Sequence, residues 1–324
     1  MLPIAIDAMG GDHAPNQIVA GAWTAHEELD VPVVLVGRSA DLPDTGGIDV
    51  IEASEVIGMA DDGARAVRVK KDSSLVRAAE AVRDGKASAM VSAGNTGATA
   101  ASALLRMGRI KGVSRPAIAT PIPVPGSTPT VLLDAGANAE CQAAWLVQFA
   151  QMGSAFATAR YDIATPRVGL LSIGEEPGKG NDLVKEAFAL LQAAPGIDFV
   201  GNVEGRDLLS DSIDVVVTDG FTGNVALKTM EGSLRFVMGK ILEVMSKPGD
   251  DIKAARDVLL PALLPIAGEL DPESSGGAML LGVDGVCIIG HGSSSARAIV
   301  NAVRVARDMV ENDLVERLTE AVAR

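Results

Sequence analysis

Ile4-Ala5-Ile6-Asp7-Ala8-Met9-Gly10-Gly11-Asp12-His13 is an apolar run that ends on an acid and passes into a glycine-rich polar loop. The pattern recurs along the chain. Ser92-Ala93-Gly94-Asn95-Thr96-Gly97 follows Ala89-Met90-Val91, and Asp134-Ala135-Gly136-Ala137-Asn138 follows Thr130-Val131-Leu132-Leu133. Thr218-Asp219-Gly220-Phe221-Thr222-Gly223-Asn224 follows Val215-Val216-Val217, and Gly290-His291-Gly292-Ser293-Ser294-Ser295 follows Val286-Cys287-Ile288-Ile289. Each loop precedes a helix start. In an α/β sheet such loops gather at the carboxyl ends of strands, where ligands bind. Glycine admits close backbone approach, and helix N-termini point N–H groups at an anion. The pattern therefore predicts one crevice for a small molecule bearing phosphate or carboxylate.

Working outward, strand-like and helical patterns alternate over the whole length. Strands are expected at 4–8, 33–36, 89–92, 117–123, 130–133, 168–172, 198–200, 214–218 and 285–289. Helices are expected at 15–29, 72–84, 96–107, 139–159, 181–192 and 225–246, with a long closing helix from about Ser294. Alternation of this kind implies a three-layer αβα fold, a mostly parallel sheet with helices on both faces. Pro125-Gly126-Ser127 leaves room only for a tight turn, so the strands on either side form an antiparallel pair inside that sheet. No linker interrupts the chain, and residues 1–324 are taken as a single domain of two intertwined halves around a cleft. The irregular part is 247–283. Pro248-Gly249 breaks a helix, and prolines 261 and 265 punctuate an apolar stretch. It is expected to be a buried helical hairpin, a dimer contact, or an exposed apolar tip at a membrane.

The 324 residues include 28 basic and 42 acidic side chains, a net charge of −14. That excludes the basic footprint of a nucleic-acid binder. Aromatic residues make up 3%, and there are 35 glycines, a composition suited to close helix–sheet packing. Cys141 and Cys287 form no metal or disulfide spacing, and the loops offer only single carboxylates, so neither a metal nor another cofactor is expected. The first residues lack a basic segment, and no apolar stretch reaches membrane-spanning length, which predicts a cytoplasmic protein.

Several side chains carry chemistry. Asp7, Gly10, Gly11, Asp12 and His13 point polar groups toward the crevice. Asn95, Thr96 and Gly97 form an anion nest, or merely a helix cap. Gly178-Lys179-Gly180-Asn181 departs from the nucleotide-binding P-loop because Asn181 stands where that motif has Ser or Thr, yet Lys179 is placed to meet an oxyanion. Asp219, Thr222, Gly223 and Asn224 mix donors and a hydroxyl, and Lys228 lies one helical turn beyond Asn224 on the same side. Of three histidines, His13 and His291 fall in crevice loops and His26 on a helix surface. Arg65, Arg68, Lys70, Lys71 and Arg77 concentrate positive charge in an acidic chain, either a solvated face or a docking site for an acidic partner.

These motifs, in this order, resemble the bacterial phosphate acyltransferase family of phospholipid synthesis, the acyl-ACP:phosphate transacylases. The matching runs are 4–15, 65–76, 92–98, 108–112 with 115–119, 132–138, 166–174 with 178–181, 201–209, 214–229 and 291–295. The resemblance implies a fold similar to isocitrate and isopropylmalate dehydrogenases and to phosphotransacetylases. It implies transfer of a long-chain acyl group from acyl carrier protein (ACP) to inorganic phosphate, giving acyl phosphate. It also implies a homodimer held peripherally at the inner face of the cell membrane, supplying a membrane acyltransferase that acylates glycerol 3-phosphate. ACP is acidic, so residues 65–77 acquire a partner. On this basis Lys179, His291 and Asn224 are assigned to catalysis. Lys179 and Lys228 hold phosphate, Asn224 or His291 stabilises the oxyanion, and His13 or His291 protonates the leaving thiolate. Asp134, Asn138, Asn181 and Ser293 complete the substrate-binding set. An acyl-CoA phosphotransacetylase, a β-decarboxylating dehydrogenase and a non-enzymatic scaffold are the competing assignments.

Overall fold

The computed structural model describes residues 1–323, the side chain of Pro272 excepted. In chain order the strands are β1 (Ile4–Asp7), β2 (Val33–Gly37), β3 (Val50–Glu52), β4 (Ala89–Ser92), β5 (Ala117–Ile122) and β6 (Thr130–Leu133), then β7 (Arg167–Leu171), β8 (Asp198–Val203), β9 (Val215–Val217), β10 (Ala278–Leu281) and β11 (Val286–Ile289). The helices are α1 (Asn16–Leu29), α2 (Gly63–Val69), α3 (Ser74–Arg83), α4 (Thr96–Arg106) and α5 (Ala143–Tyr161), then α6 (Asp182–Ala193), α7 (Gly220–Met245), α8 (Asp250–Glu269), α9 (Ala296–Glu311) and α10 (Leu314–Val322). The strands form one 11-stranded sheet in the order β3-β2-β1-β4-β11-β10-β5-β6-β9-β7-β8.

The five strands from β3 to β11 are mutually parallel, as are the four from β6 to β8. Antiparallel β10 and β5 join the two blocks, and β5 pairs with β6 in the antiparallel register expected from the intervening turn. Most strands are buried on both faces, which is why they read as continuous apolar runs rather than alternating ones. Alternate residues nevertheless serve different cores. Ile4, Ile6, Val33, Leu35, Val131 and Leu133 face a single core closed by α1, α5, α6, α9 and α10. On the opposite face Ala5, Val34, Val36, Met90 and Cys287 pack with α2, α3 and α4, while Leu132, Leu171 and Val216 form a separate core beside α7. One face is thus continuous and the other divided.

Three elements were not anticipated. Strand β3 and helix α2 are short, and β10 is hidden after a Ser/Gly-rich stretch. Helix α8 runs through Pro261 and Pro265 rather than breaking there. Proline removes a backbone donor and crowds the preceding turn. None of the described α8 residues is buried, so the carbonyls left unpaired can be solvated. The expectation of a buried hairpin is therefore corrected. α7 and α8 form a hairpin carrying exposed Phe236, Val237, Leu242, Val258, Leu259 and Leu264. The closing helix is also two, α9 and α10, divided at Asp313 in the left-handed region (φ 50°). Among the described residues no helix is long and apolar enough to cross a membrane.

Candidate active site

The two parallel blocks run in opposite directions, which would ordinarily put their carboxyl ends at opposite edges of the sheet. The register prevents this. Ser92 at the end of β4 lies beside Ile289, Ile289 beside Ala278, and Thr120 beside Leu132 near the end of β6. Met279 faces Ala119, so the two blocks are staggered and their carboxyl ends reach the same level from opposite sides. The loop after β4 and the loop after β6 therefore pass each other above β10 and β5. A cleft of about 480 Å³ opens there, floored by Ile118 and Leu280, on the divided face of the sheet.

One wall is the start of α4. Asn95 caps this helix by accepting from the Ala98 N–H at 2.9 Å; Thr96 and Gly97 line the cleft, and their N–H groups have no backbone partner among the described residues. Ala100, Ala101 and Leu104 continue that wall as a small-residue apolar stripe one and two turns on. The facing wall is the 135–138 turn with Asn224 and Lys228 from α7. None of the residues lining the cleft is acidic, in a chain that carries 42 carboxylates. Two are cationic, Lys228 and Arg115. Lys228 is bound to Glu231 at 2.9 Å, whereas Arg115 has no carboxylate partner among the described residues.

Several of the polar side chains expected to touch substrate are instead committed within the protein. Asp134 is fully buried. Its Oδ1 accepts from the N–H groups of Ile118, Gly136 and Ala137, and its Oδ2 from the backbone N–H and side-chain Nδ2 of Asn138, at 2.7–3.1 Å. Gly223 must be glycine, because a Cβ there would collide with the Asp134 carbonyl oxygen. Asp7 is buried and accepts from Ser92 Oγ at 2.7 Å and from the Met9 N–H at 3.2 Å. Burial pushes its carboxyl above the ordinary value, against the opposing effect of Ser74, Ser92 and two backbone N–H groups. Asn95 donates to the carbonyls of Met59 and Asp61 besides capping α4. Asn181 caps α6 and Asp219 caps α7, the latter also accepting from Thr222 Oγ1 at 2.8 Å.

The remaining expected residues do not line the cleft. Gly11 and Asp12 meet the 290–295 loop, where the Asp12 N–H donates to Gly292 O at 2.7 Å, while Gly10 packs against Asp7 and Gly94. Asp12 and His13 are exposed, and the cap position of α1 is Pro15. His291 Nδ1 lies 2.8 Å from Ser293 Oγ and accepts from the Ser293 N–H at 3.3 Å. A backbone N–H can only donate, so the neutral ring carries its proton on Nε2. Lys179 is exposed on the loop after β7, and neither it nor His291 lines the cleft. The basic segment also divides. Lys70 is paired with Asp61 at 2.7 Å and Arg77 with Asp72 at 2.9 Å, leaving Arg65, Arg68 and Lys71 exposed and without carboxylate partners among the described residues.

Arg115 is the cleft residue that sequence reasoning missed. It precedes Pro116 at the start of β5, and its guanidinium carbon lies 5.0 Å from the centre of the Trp145 ring. An arginine followed by proline at a strand start was a weak signal, since its cleft position depends on the meeting of the two blocks.

Residues 2–317 match the protein family described as fatty acid synthesis protein. A phosphate acyltransferase of Pelotomaculum thermopropionicum is 49% identical, covering 99% of this chain and 95% of its own length. That of Elusimicrobium minutum is 48% identical, covering 99% and 96%. Among solved structures, a phosphotransacetylase from Streptococcus pyogenes superposes with a TM-score of 0.63 at 17% identity, over 96% of this chain and 94% of that one. A 4-hydroxythreonine-4-phosphate dehydrogenase from Klebsiella pneumoniae gives 0.56 at 14% identity, over 96% and 100%. At such identities the likeness to solved structures is one of fold.

Proposed function

The chain belongs to the fatty acid synthesis protein family that its phosphate acyltransferase relatives represent, and it is an acyltransferase; from that premise we propose that it moves a long-chain acyl group from the thioester of acyl carrier protein to inorganic phosphate. The product is an acyl phosphate for phospholipid synthesis. The observation that carries this reading is the cleft itself. It combines unpartnered helix N–H groups and cations with an apolar stripe, and no carboxylate faces it.

A phosphate oxygen attacks the thioester carbonyl carbon, the C–O bond forms, and the carbonyl electrons move onto oxygen. Collapse of the tetrahedral intermediate breaks the C–S bond, and the proton that hydrogen phosphate carried is relayed to the departing ACP thiolate, so that acyl phosphate and free thiol leave. Phosphate near neutral pH needs no strong base, so positioning and oxyanion stabilisation supply most of the acceleration. The N–H groups of Thr96 and Gly97 hold phosphate together with Lys228, favoured by the positive end of α4. The Asn224 amide donates to the oxyanion. Ala100, Ala101 and Leu104 accept the start of the acyl chain. Lys179 as a phosphate ligand and His291 Nε2 as proton donor to the thiolate belong to the same proposal, and both require the rim loops to close over the cleft. Arg65, Arg68 and Lys71 receive the acidic carrier protein. The exposed apolar residues of α7 and α8 support self-association as a homodimer and peripheral attachment at the inner membrane face, near the acyltransferase that consumes acyl phosphate.

The test is incubation of the protein with long-chain acyl-ACP, with and without orthophosphate, measuring free ACP and hydroxylamine-trapped acyl phosphate. Phosphate-dependent release of both is the expected result. Release without phosphate, or turnover of acyl-CoA with none of acyl-ACP, overturns the reading.

A further inference from the structure

We infer that Arg115 is the residue that binds and selects the phosphate dianion in the cleft, an inference that rests on the proposed acyl transfer to phosphate and adds its specificity determinant. Lys228 shares its charge with Glu231. Lys179 lies outside the cleft lining. Arg115 is left as the cation lining the cleft that has no carboxylate partner among the described residues. In a chain of net charge −14, a guanidinium with no carboxylate partner among the described residues, lining the same cleft as Thr96 and Gly97 at the start of α4, is a local reversal of sign. Such a spot favours a compact anion over the many acidic surfaces around it.

Arg115 is exposed, and its setting restricts the backbone that carries it. Ser114 donates its N–H to Gln148 Oε1 at 2.8 Å, and Pro116 O accepts from Asn138 Nδ2 at 2.8 Å, so both neighbours of Arg115 are tied down. The following proline restricts the Arg115 backbone to extended conformations. The Trp145 ring supports the guanidinium by cation–π contact and leaves its N–H donors free for a ligand. Less side-chain freedom is then lost when the anion arrives. A guanidinium presents paired N–H donors that match two phosphate oxygens, which an ammonium group does not. Asn138 connects this residue to the opposite wall, because the same side chain that holds Pro116 O also donates to Asp134.

Trp145 supplies a reporter that does not depend on turnover. The chain has two tryptophans, and Trp23→Phe leaves Trp145 alone. Orthophosphate titrated into the W23F protein is expected to change its fluorescence saturably. Adding Arg115→Gln is expected to move the midpoint about tenfold or more upward, the loss of charge-assisted hydrogen bonds. In steady state the R115Q enzyme is expected to show a phosphate KM raised about tenfold or more, with the acyl-ACP KM within about twofold of the parent. Arg115→Lys keeps the charge and loses the fork, so its phosphate KM lies between the two. It also serves if R115Q fails to fold. A residue that only covers Trp145 would lower thermal stability without moving the phosphate KM selectively. An unchanged phosphate KM in R115Q or R115K, or an unmoved titration midpoint, overturns the inference while leaving the acyltransferase reading intact. If the parent enzyme releases no ACP in response to phosphate, the proposed function fails, and the fluorescence titration still decides Arg115 separately.

Discussion

Asp7 and Asp134 occupy equivalent places in the two halves, each buried at the end of a parallel strand that opens into a glycine-containing loop. Their roles differ. Asp134 draws three N–H donors of its own loop and one of β5 onto a single carboxylate, with the Asn138 amide added. Asp7 reaches across to β4 through Ser92, whose hydroxyl in turn accepts from the Gly94 N–H at 3.0 Å. One acid folds the turn that forms a cleft wall, and the other stitches two neighbouring strand ends together. The same local word in the sequence thus serves two purposes, decided by how many donors surround the carboxylate. At Asp7 burial outweighs the hydrogen-bond donors around it, and the carboxyl is pushed up.

The largest expected effect comes from Asp134→Ala. It strands several buried donors at about 1–3 kcal/mol each, so a loss above about 4 kcal/mol, or failure to fold, should appear in urea unfolding. Asp7→Ala should cost clearly less. Equal losses would break the comparison between the two acids. Next is Asn224→Ala, which borders the Asp134 turn without supporting it. A fall in kcat of about 10²–10³ with unchanged unfolding is expected, the usual cost of one oxyanion donor. Normal turnover would remove Asn224 from the proposed mechanism.

A smaller effect is expected for Arg65→Glu combined with Arg68→Glu. The acyl-ACP KM should rise about tenfold at low ionic strength and less at high salt, with the phosphate KM unmoved. Arg77→Glu should change it less, since Arg77 is already paired with Asp72 and Glu80.

The smallest effect sharpens the contrast between the acids through pH. The Asp7 carboxyl is raised in the fold above its ordinary 3.8, so the protonated form is favoured there. Its contribution to stability is full below pH 3.8 and is lost as pH rises through the higher folded value. Asp7→Asn should therefore lose less stability than the parent between acid and neutral pH, measured as unfolding free energy against pH. A steeper loss in the variant would reverse that sign. Asp214 provides the opposite control. Burial opposes ionisation there, but hydrogen bonds from the Arg167 side chain and backbone outweigh it and hold the carboxyl low. Its contribution is present above the ordinary value and fades as pH falls.

Much of the fold was legible because the elements are locally consistent. β4 and β6 fall on the expected residues, and α4 and α6 begin within one residue of the expected starts, each with its Asn cap. The continuity and exposure of helix α8 were not legible, because two prolines in an apolar stretch argue for a break and for burial, while exposure to solvent removes most of the cost of keeping the helix. The site was legible as a set of loops, not as a geometry. Thr96, Gly97, Asn138, Asn224 and Lys228 come together in the cleft, whereas Lys179 and His291 do not line it.

Strand-end loops rich in glycine and small polar residues, each leading into a helix, were written in the sequence, because apolar period, caps and turn residues are encoded within a few positions of one another. Tertiary structure alone decided which loops meet. The antiparallel β10–β5 insertion staggers two opposed blocks so that their carboxyl ends share one level. That stagger lies in pairings between residues far apart in the chain, such as Ala119 with Met279, and no local pattern records it. It brings Arg115 to the cleft and leaves Lys179 outside its lining.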